Sequence, residues 1–237
     1  MNAAERLIIG LDLEKEKALE LVKTIPNGPI FKIGMTLFTP HGRDFVKQVI
    51  DMGHKVFLDM KFHDIPNVVA NAAEAVADMG ATMFTIHASG GPTMIKGVRE
   101  RLDKWSQKTG KKPPIVLGVT VLTSLDQNEL NAIGHDKSPN ELVEKLAGMA
   151  IANGCDGIVC SPQEIENLRA KFGKDFVAVT PGIRRGSDAV GDQKRVATPE
   201  SAIKSGSTYI VVARPIVEDS NPKQATLDFI KEIENAI

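Results

Sequence analysis

A short charged segment at the end of an apolar run carries the residues best suited to chemistry. It reads Asp59-Met60-Lys61-Phe62-His63-Asp64 and follows Val56-Phe57-Leu58. Side chains in a β-strand alternate between two faces, so Asp59 and Lys61 share one face while their apolar neighbours take the other. A lysine held between carboxylates where a strand stops indicates a functional cluster and not a solvated surface.

The charge pattern favours some chemistries over others. Nearby carboxylates stabilise the ammonium form of Lys61, whereas a Schiff-base lysine needs a neutral amine, so an aldolase-type mechanism is disfavoured. A neighbouring cation can also favour a neutral amine, and Lys32 could be that cation for Lys61, but Lys61 is better suited to donating a proton. A divalent metal is conceivable, with the candidate ligands Asp59, His63, Asp64 and His87. Two ammonium groups there would repel the ion, and we expect no metal.

Composition limits the class of partner. The chain has 237 residues, 29 Lys plus Arg against 30 Asp plus Glu, and only 5% aromatic residues, which predicts a small-molecule substrate and no nucleic acid. The apolar stretch that begins at Leu7 ends at Asp12 and suits neither a signal peptide nor a membrane span. Two cysteines, Cys155 and Cys160, are expected to be reduced thiols. We therefore expect a cytoplasmic protein without membrane contact.

Apolar periodicity alternates between short β-branched runs and stretches with helical spacing, such as 18–25 and 67–79. Eight such runs can be counted, beginning at Leu7, Ile30, Lys55, Thr82, Ile115, Gly157, Phe176 and Tyr209. Eight units in 237 residues give about thirty residues each, which predicts an α/β protein with a (β/α)8 TIM barrel. The dinucleotide fingerprint GxGxxG is absent from the sequence. We expect eight helices and a single domain over residues 1–237.

Polar residues lie at the carboxyl ends of the predicted strands, where such barrels place their chemistry. They are Asp12, Lys32, Asp59, Lys61, His87, Thr120, Thr123, Ser161, Arg184 and Arg214. The segments 180–184 and 211–215 occupy the usual phosphate positions, and Arg214 is the natural bidentate clamp. The long connection 185–199 has the composition of a mobile lid.

The chain resembles the bacterial orotidine 5′-monophosphate decarboxylase family. The most specific match is the segment 57–67, which fits the DxKxxD-I-P signature of that family. Further matching segments are Phe31-Lys32-Ile33-Gly34, Val121-Leu122-Thr123-Ser124, Thr180-Pro181-Gly182-Ile183-Arg184 and Gly191-Asp192-Gln193. The resemblance runs from end to end. It implies decarboxylation of orotidine 5′-monophosphate to UMP and CO2 in pyrimidine biosynthesis, without a cofactor.

The resemblance also implies roles for individual residues. Lys32, Asp59 and Lys61 match the catalytic charged network, with Lys61 as the proton donor, and Asp64 matches a catalytic member contributed across a homodimer interface. Asp12 matches the residue that holds the ribose hydroxyls. The full set of implied substrate contacts is Asp12, Lys32, Asp59, Lys61, Asp64, Ile65, Thr123, Pro181, Arg184, Gln193, Ala213 and Arg214. The departure is Ala213, because many relatives have glycine there and a methyl group hinders close approach.

Two alternatives remain open at this stage. A Mg²⁺-dependent sugar-phosphate decarboxylase or synthase of the same suprafamily shares the Asp-x-Lys-x-x-Asp pattern, but the residues Ile65-Pro66-Asn67 and the region of Thr123 fit the pyrimidine enzyme better. A barrel that binds UMP without turnover is the other alternative, and it is disfavoured by the presence of every charged member of the network.

Overall fold

The computed structural model describes residues 1–185 and 197–237, and within them eight parallel strands close into a barrel. The strands are β1 (Leu7–Gly10), β2 (Ile30–Gly34), β3 (Lys55–Phe62), β4 (Met83–His87), β5 (Ile115–Val119), β6 (Gly157–Val159), β7 (Val177–Thr180) and β8 (Tyr209–Val212). Each strand pairs with the next along the chain, and β1 pairs with β8 to close the ring. The predicted (β/α)8 barrel is confirmed, and only the starts of β4 and β7 differ from the prediction, each by one residue.

The expected count of eight helices is wrong, because the described residues contain eleven α-helices. They are α1 (Ala3–Arg6), α2 (Lys15–Thr24), α3 (Met35–Asp51), α4 (Pro66–Met79), α5 (Gly91–Thr109), α6 (Gln127–Ala132), α7 (Pro139–Ala152), α8 (Ile165–Phe172), α9 (Pro199–Lys204), α10 (Arg214–Val217) and α11 (Pro222–Glu234). The additional helices α1, α6 and α10 are one or two turns long. Capping boxes, from Asn2 with Glu5 and from Asp126 with Glu129, stabilise two of them locally.

Two apolar clusters lie on opposite sides of the barrel wall. The larger fills the space between the strands and the surrounding helices. The smaller fills the barrel interior and consists of Ile8, Ile30, Phe57, Met83, Leu117, Val179 and Val211. Seven of the eight strands contribute one residue each, so on those strands the next inward position, two residues later, lies above an apolar floor. The barrel is therefore a packed core with its open end at the carboxyl ends of the strands.

Glycines end several of the helices before the next strand. Gly80 and Gly110 both adopt the left-handed C-cap conformation, with φ of 82° and 70°. In the described part of the chain, no helix is long and apolar enough to cross a membrane.

Two glycine-to-alanine changes should have opposite effects on the free energy of unfolding. A Cβ at Gly157 in β6 would lie 2.0 Å from the carbonyl oxygen of Val177, so Gly157→Ala should cost about 3 kcal/mol or prevent folding. A Cβ at Gly97 in α5 would meet nothing closer than 3.8 Å, and Gly97→Ala should gain roughly 0.5–1 kcal/mol of helix propensity. Urea unfolding of both variants checks this, and equal effects would contradict the packing described for β6 and β7.

Candidate active site

A cavity of about 540 Å³ opens at the carboxyl ends of the strands. Nine of the residues predicted from the sequence line it, namely Asp12, Lys32, Asp59, Lys61, Thr123, Pro181, Arg184, Ala213 and Arg214. They come from six different strand ends that are separated by up to two hundred residues in sequence. The closed barrel is therefore what brings these side chains together.

Lys61 and Asp59 form the closest charged pair in the cavity. The Lys61 ammonium nitrogen donates to both carboxylate oxygens of Asp59, at 2.9 Å each. Both side chains point inward from β3, as strand alternation predicted. Lys61 has a φ of 50°, and it is the one non-glycine residue with positive φ in residues 1–185 and 197–237. A lysine in this sparsely populated region is a local strain of the kind that clusters at functional sites.

Lys32 extends the pair into a row of alternating charges. Its ammonium nitrogen lies 3.6 Å from one oxygen of Asp59 and 3.6 Å from one oxygen of Asp12. The side chains of Lys32 and Asp59 are only 13% and 12% exposed. Burial of either charge alone would cost several kcal/mol, so the alternation of sign is what allows both to remain ionised.

The pKa of Asp59 reflects this balance. Burial by itself raises the pKa of the carboxyl group, but the ammonium groups of Lys32 and Lys61 and hydrogen bonds from Lys61 and Thr85 outweigh it. The pKa of Asp59 therefore lies below its usual value, and the carboxylate stays charged at neutral pH.

Thr85 is a contact of this network that the sequence analysis missed. Its hydroxyl donates to Asp59 at 2.9 Å and accepts the backbone N–H of Lys61 at 2.8 Å. Thr85 is fully buried in β4. The sequence did contain a signal, because Thr85 interrupts the apolar run that begins at Met83. It lies two residues after Met83, so both side chains point into the barrel.

Arginines and turns after β7 and β8 form the other end of the cavity. Arg184 is buried, and the exit of β7 is fixed because the Arg184 N–H donates to the Ala197 carbonyl at 3.0 Å. Arg214 is exposed at the start of α10 and lines the same cavity. Predicted contact Gln193 lies outside the described residues, as do positions 186–196 of the connection predicted to be a lid.

The wall opposite the charged row is largely apolar. Its described members come from β5 to β8 and the turns after them, and they include Val119, Val121, Leu122, Val159, Cys160, Val179, Pro181 and Val211. Thr123 and Ser124 add hydroxyl groups at the rim. Cys160 and Glu218 also line the cavity and were not assigned to it from the sequence. The cavity thus has one charged half and one half suited to the face of a flat, weakly polar ring.

Asp64 and Ile65 do not belong to the described lining of the cavity. Both are exposed, and the Asp64 carboxylate accepts the Ile65 backbone N–H at 2.6 Å. Ile65 is 67% exposed, which is unusual for a side chain of this size. The assignment of both residues to a shared site across a dimer interface stays a prediction.

The ligand set considered for a metal is not gathered into one site. In the part of the chain that the structure describes, no group of three or more His, Cys, Asp or Glu side chains could hold a metal ion. His63 and His87 do lie close, with ring centroids 5.6 Å apart. Burial, followed by the neighbouring His63 and Lys61, lowers the pKa of His87.

The methyl group of Ala213 faces Gly10, where the absence of a side chain leaves room for it. A Cβ at Gly10 would lie 3.0 Å from the Ala213 Cβ and 3.3 Å from Cε of Lys32. The glycine in β1 therefore makes room both for the alanine in front of Arg214 and for the lysine stem. Ala213 lines the cavity, and space for its methyl group is left across the β1–β8 contact by the absence of a side chain at Gly10.

Comparison with known proteins identifies similar chains of the same length. The model of the orotidine 5′-phosphate decarboxylase / HUMPS family matches residues 5–229. Orotidine 5′-phosphate decarboxylase of Pseudoalteromonas translucida is 47% identical over 234 residues, which cover 98% of each chain. That of Mannheimia succiniciproducens is 45% identical over 236 residues, which cover 99% of each.

A solved structure gives the same result. The crystal structure of orotidine 5′-phosphate decarboxylase from Lactobacillus acidophilus superimposes with a TM-score of 0.85 at 39% sequence identity. The match covers 96% of this chain and 98% of that one.

The packing of Gly10 against Ala213 predicts coupling between the two positions. Gly10→Ala alone should cost about 1–3 kcal/mol of unfolding free energy, because the new methyl group meets Ala213 and Lys32. In an Ala213→Gly background the same change should cost less, by roughly 0.5 kcal/mol or more. Urea unfolding of the wild type, both single variants and the double variant measures this coupling. Strict additivity would show that the two positions do not share the space.

Proposed function

Because the chain belongs to the orotidine 5′-phosphate decarboxylase / HUMPS family, we propose that it converts orotidine 5′-monophosphate into UMP and CO2. It is a carboxy-lyase of pyrimidine biosynthesis. The single observation that carries the proposal is the ammonium group of Lys61, held at 2.9 Å from both oxygens of Asp59 beside an apolar wall.

The mechanism we propose uses this ammonium group twice. The bond between C6 of the pyrimidine and its carboxylate breaks, neutral CO2 leaves, and the electron pair stays on C6. Lys61 stabilises this negative charge through a fixed, poorly solvated positive group and then gives C6 a proton, which solvent replaces. Asp59 orients the ammonium group and lies near the departing carboxylate, so their repulsion is relieved as CO2 forms.

The proposed route uses no cofactor. A cofactor acting as an electron sink would delocalise the negative charge on C6, and here the ammonium group of Lys61 stabilises that charge instead. Lys32 favours the charged form of Asp59, and we assign Asp12 and Lys32 to the ribose end of the substrate, with Asp12 binding the ribose hydroxyls. Thr123 is assigned to the edge of the pyrimidine, whose face suits the apolar wall.

The phosphate group is assigned to the far end of the cavity. Arg184 and Arg214 both line it there, and a guanidinium can bind phosphate oxygens in a bidentate manner. Pro181 and the backbone N–H of Ala213 complete this end, and Gln193 is proposed to join it from the residues outside the described ranges. Binding energy from the phosphate then offsets the cost of ordering and desolvating the reacting end.

We further propose that the active protein is a homodimer in which Asp64 enters the partner's site. Exposed apolar side chains support this, since Met35, Ile65 and Val68 are 55%, 67% and 46% exposed and follow the ends of the adjacent strands β2 and β3. Such side chains are commonly covered by another protein surface. A cytoplasmic location is proposed as well and accords with both cysteines being thiols without a disulfide.

Turnover is the direct test of the proposed reaction. The purified protein, treated with a chelator and then freed of it, should remove the absorbance of orotidine 5′-monophosphate and yield UMP. Lys61→Ala should lose this activity by several orders of magnitude, since both charge stabilisation and proton transfer depend on the ammonium group. Activity that returns only with added Mg²⁺ would favour the sugar-phosphate branch, and UMP binding without turnover would favour a sensor.

Mixing two inactive variants tests the shared site. Lys61→Ala and Asp64→Asn each disable every site in their own homodimers, but a heterodimer carries one site with both native residues. Activity should therefore reappear after subunit exchange, up to about a quarter of the wild-type value when heterodimers are half of the population. A matched mixture of Lys61→Ala with Asp59→Asn should stay inactive, because both changes fall in one subunit's half of the site. If both mixtures stay inactive after verified exchange, Asp64 does not act on the partner.

A further inference from the structure

We propose that Thr85 is a positioning residue for the proposed decarboxylation, in which one hydroxyl group fixes both the backbone of Lys61 and the carboxylate of Asp59. The proposal rests on the proposed function for its kinetic consequence. Its structural basis is independent of any substrate and consists of the pairing of β3 with β4 around the charged row.

The pairing between β3 and β4 is interrupted at the site. Leu58 is opposite Phe84, but the next pair is Phe62 with Ile86, so three residues of β3 face Thr85 alone. Such a bulge leaves backbone groups without their ladder partners. The N–H of Lys61 lies within this bulge, and the Thr85 hydroxyl accepts it at 2.8 Å. A side chain of β4 thus takes the place of the missing backbone acceptor.

The same hydroxyl is also used as a donor. A threonine hydroxyl has one proton and two lone pairs, so it can donate once while accepting elsewhere. Its proton goes to Oδ1 of Asp59 at 2.9 Å, the oxygen that Lys61 also contacts. The Thr85 hydroxyl therefore holds both parts of Lys61. It binds the backbone N–H directly, and it holds the ammonium group through Asp59.

The backbone conformation of Lys61 makes this tie important. A φ of 50° is unfavourable for a lysine and persists only where surrounding contacts hold it. The hydrogen bond to Thr85 is one such contact, and Thr85 itself is fully buried and fixed by the barrel wall. Without the hydroxyl, Lys61 can relax its backbone, and the ammonium group then leaves the direction set by Asp59.

Thr85→Val tests the proposal because valine keeps the shape and removes both hydrogen bonds. We expect kcat to fall about 100-fold, the scale of a misplacement of roughly 1 Å at a reacting group. KM should change much less, because phosphate binding lies at the other end of the cavity. The acid limb of the kcat profile should move to higher pH, since Asp59 loses a donor that favours its charged form. Thr85→Ser keeps the hydroxyl and should restore most of the rate.

Thr226→Val is the matched control. Thr226 is also fully buried, and its hydroxyl donates to the Pro222 carbonyl at 2.8 Å in α11, far from the cavity. This variant should lower the melting temperature while leaving kcat and the pH profile at wild-type values. If Thr85→Val behaves as Thr226→Val does, Thr85 has a purely structural role and the proposal is overturned.

A crystal structure of unliganded Thr85→Val separates this proposal from the proposed function. It should show the Lys61 nitrogen displaced from Asp59 and a changed φ at Lys61, and an unchanged pair would overturn the proposal. Wild-type protein that fails to decarboxylate would refute the function while the structural comparison still decides the role of Thr85. Thr85→Ala serves as a second variant without the hydroxyl if the valine variant does not fold.

Discussion

Burial of charge at the mouth of the barrel is the constraint on which the site depends. Four side chains of alternating sign, Asp12, Lys32, Asp59 and Lys61, lie in one row, and the inner members are almost covered. Burying the charge of Lys32 or Asp59 without an opposite charge nearby would cost several kcal/mol. Each charge is kept by its neighbours, so the geometry of the row is fixed before any ligand binds. Preorganised charge of this kind lowers a reaction barrier without further rearrangement of the protein.

The barrel supplies the two halves of the cavity from different strands. Residues of β1 to β3 and the turn after β1 provide the charged row, while β5 to β8 and the turns after them provide the apolar wall and the arginine end. The low polarity of that wall strengthens the field of the ammonium group, because fewer water molecules can screen it. An apolar floor lies below both halves. In the proposed mechanism this arrangement separates recognition of the phosphate from the place where the carbon–carbon bond breaks.

Much of this architecture was predictable from sequence, and the failures have physical causes. Period-two alternation correctly placed Asp59 and Lys61 on one inward face, and the positions of the strands followed from apolar runs. The contacts of Thr85 were missed because the bulge in β3 changes which residues of β3 and β4 lie opposite each other. Sequence spacing gives no sign of a bulge. The short helices α1 and α6 were missed because local capping boxes stabilise them and not a long apolar stripe. The role proposed for Asp64 involves a second subunit, which no pattern within one chain can locate.

Closure of the ring by β1 and β8 has a consequence for how the protein is made. Leu7 pairs with Ile210, so the first strand to leave the ribosome finds its last neighbour only after almost the entire chain has been synthesised. Until then the nascent chain exposes an open sheet edge, which is prone to wrong pairing with other chains. Arg214, which follows β8, is also synthesised late. A nascent fragment that ends before β8 therefore lacks both the closing strand and the arginine proposed to bind the phosphate.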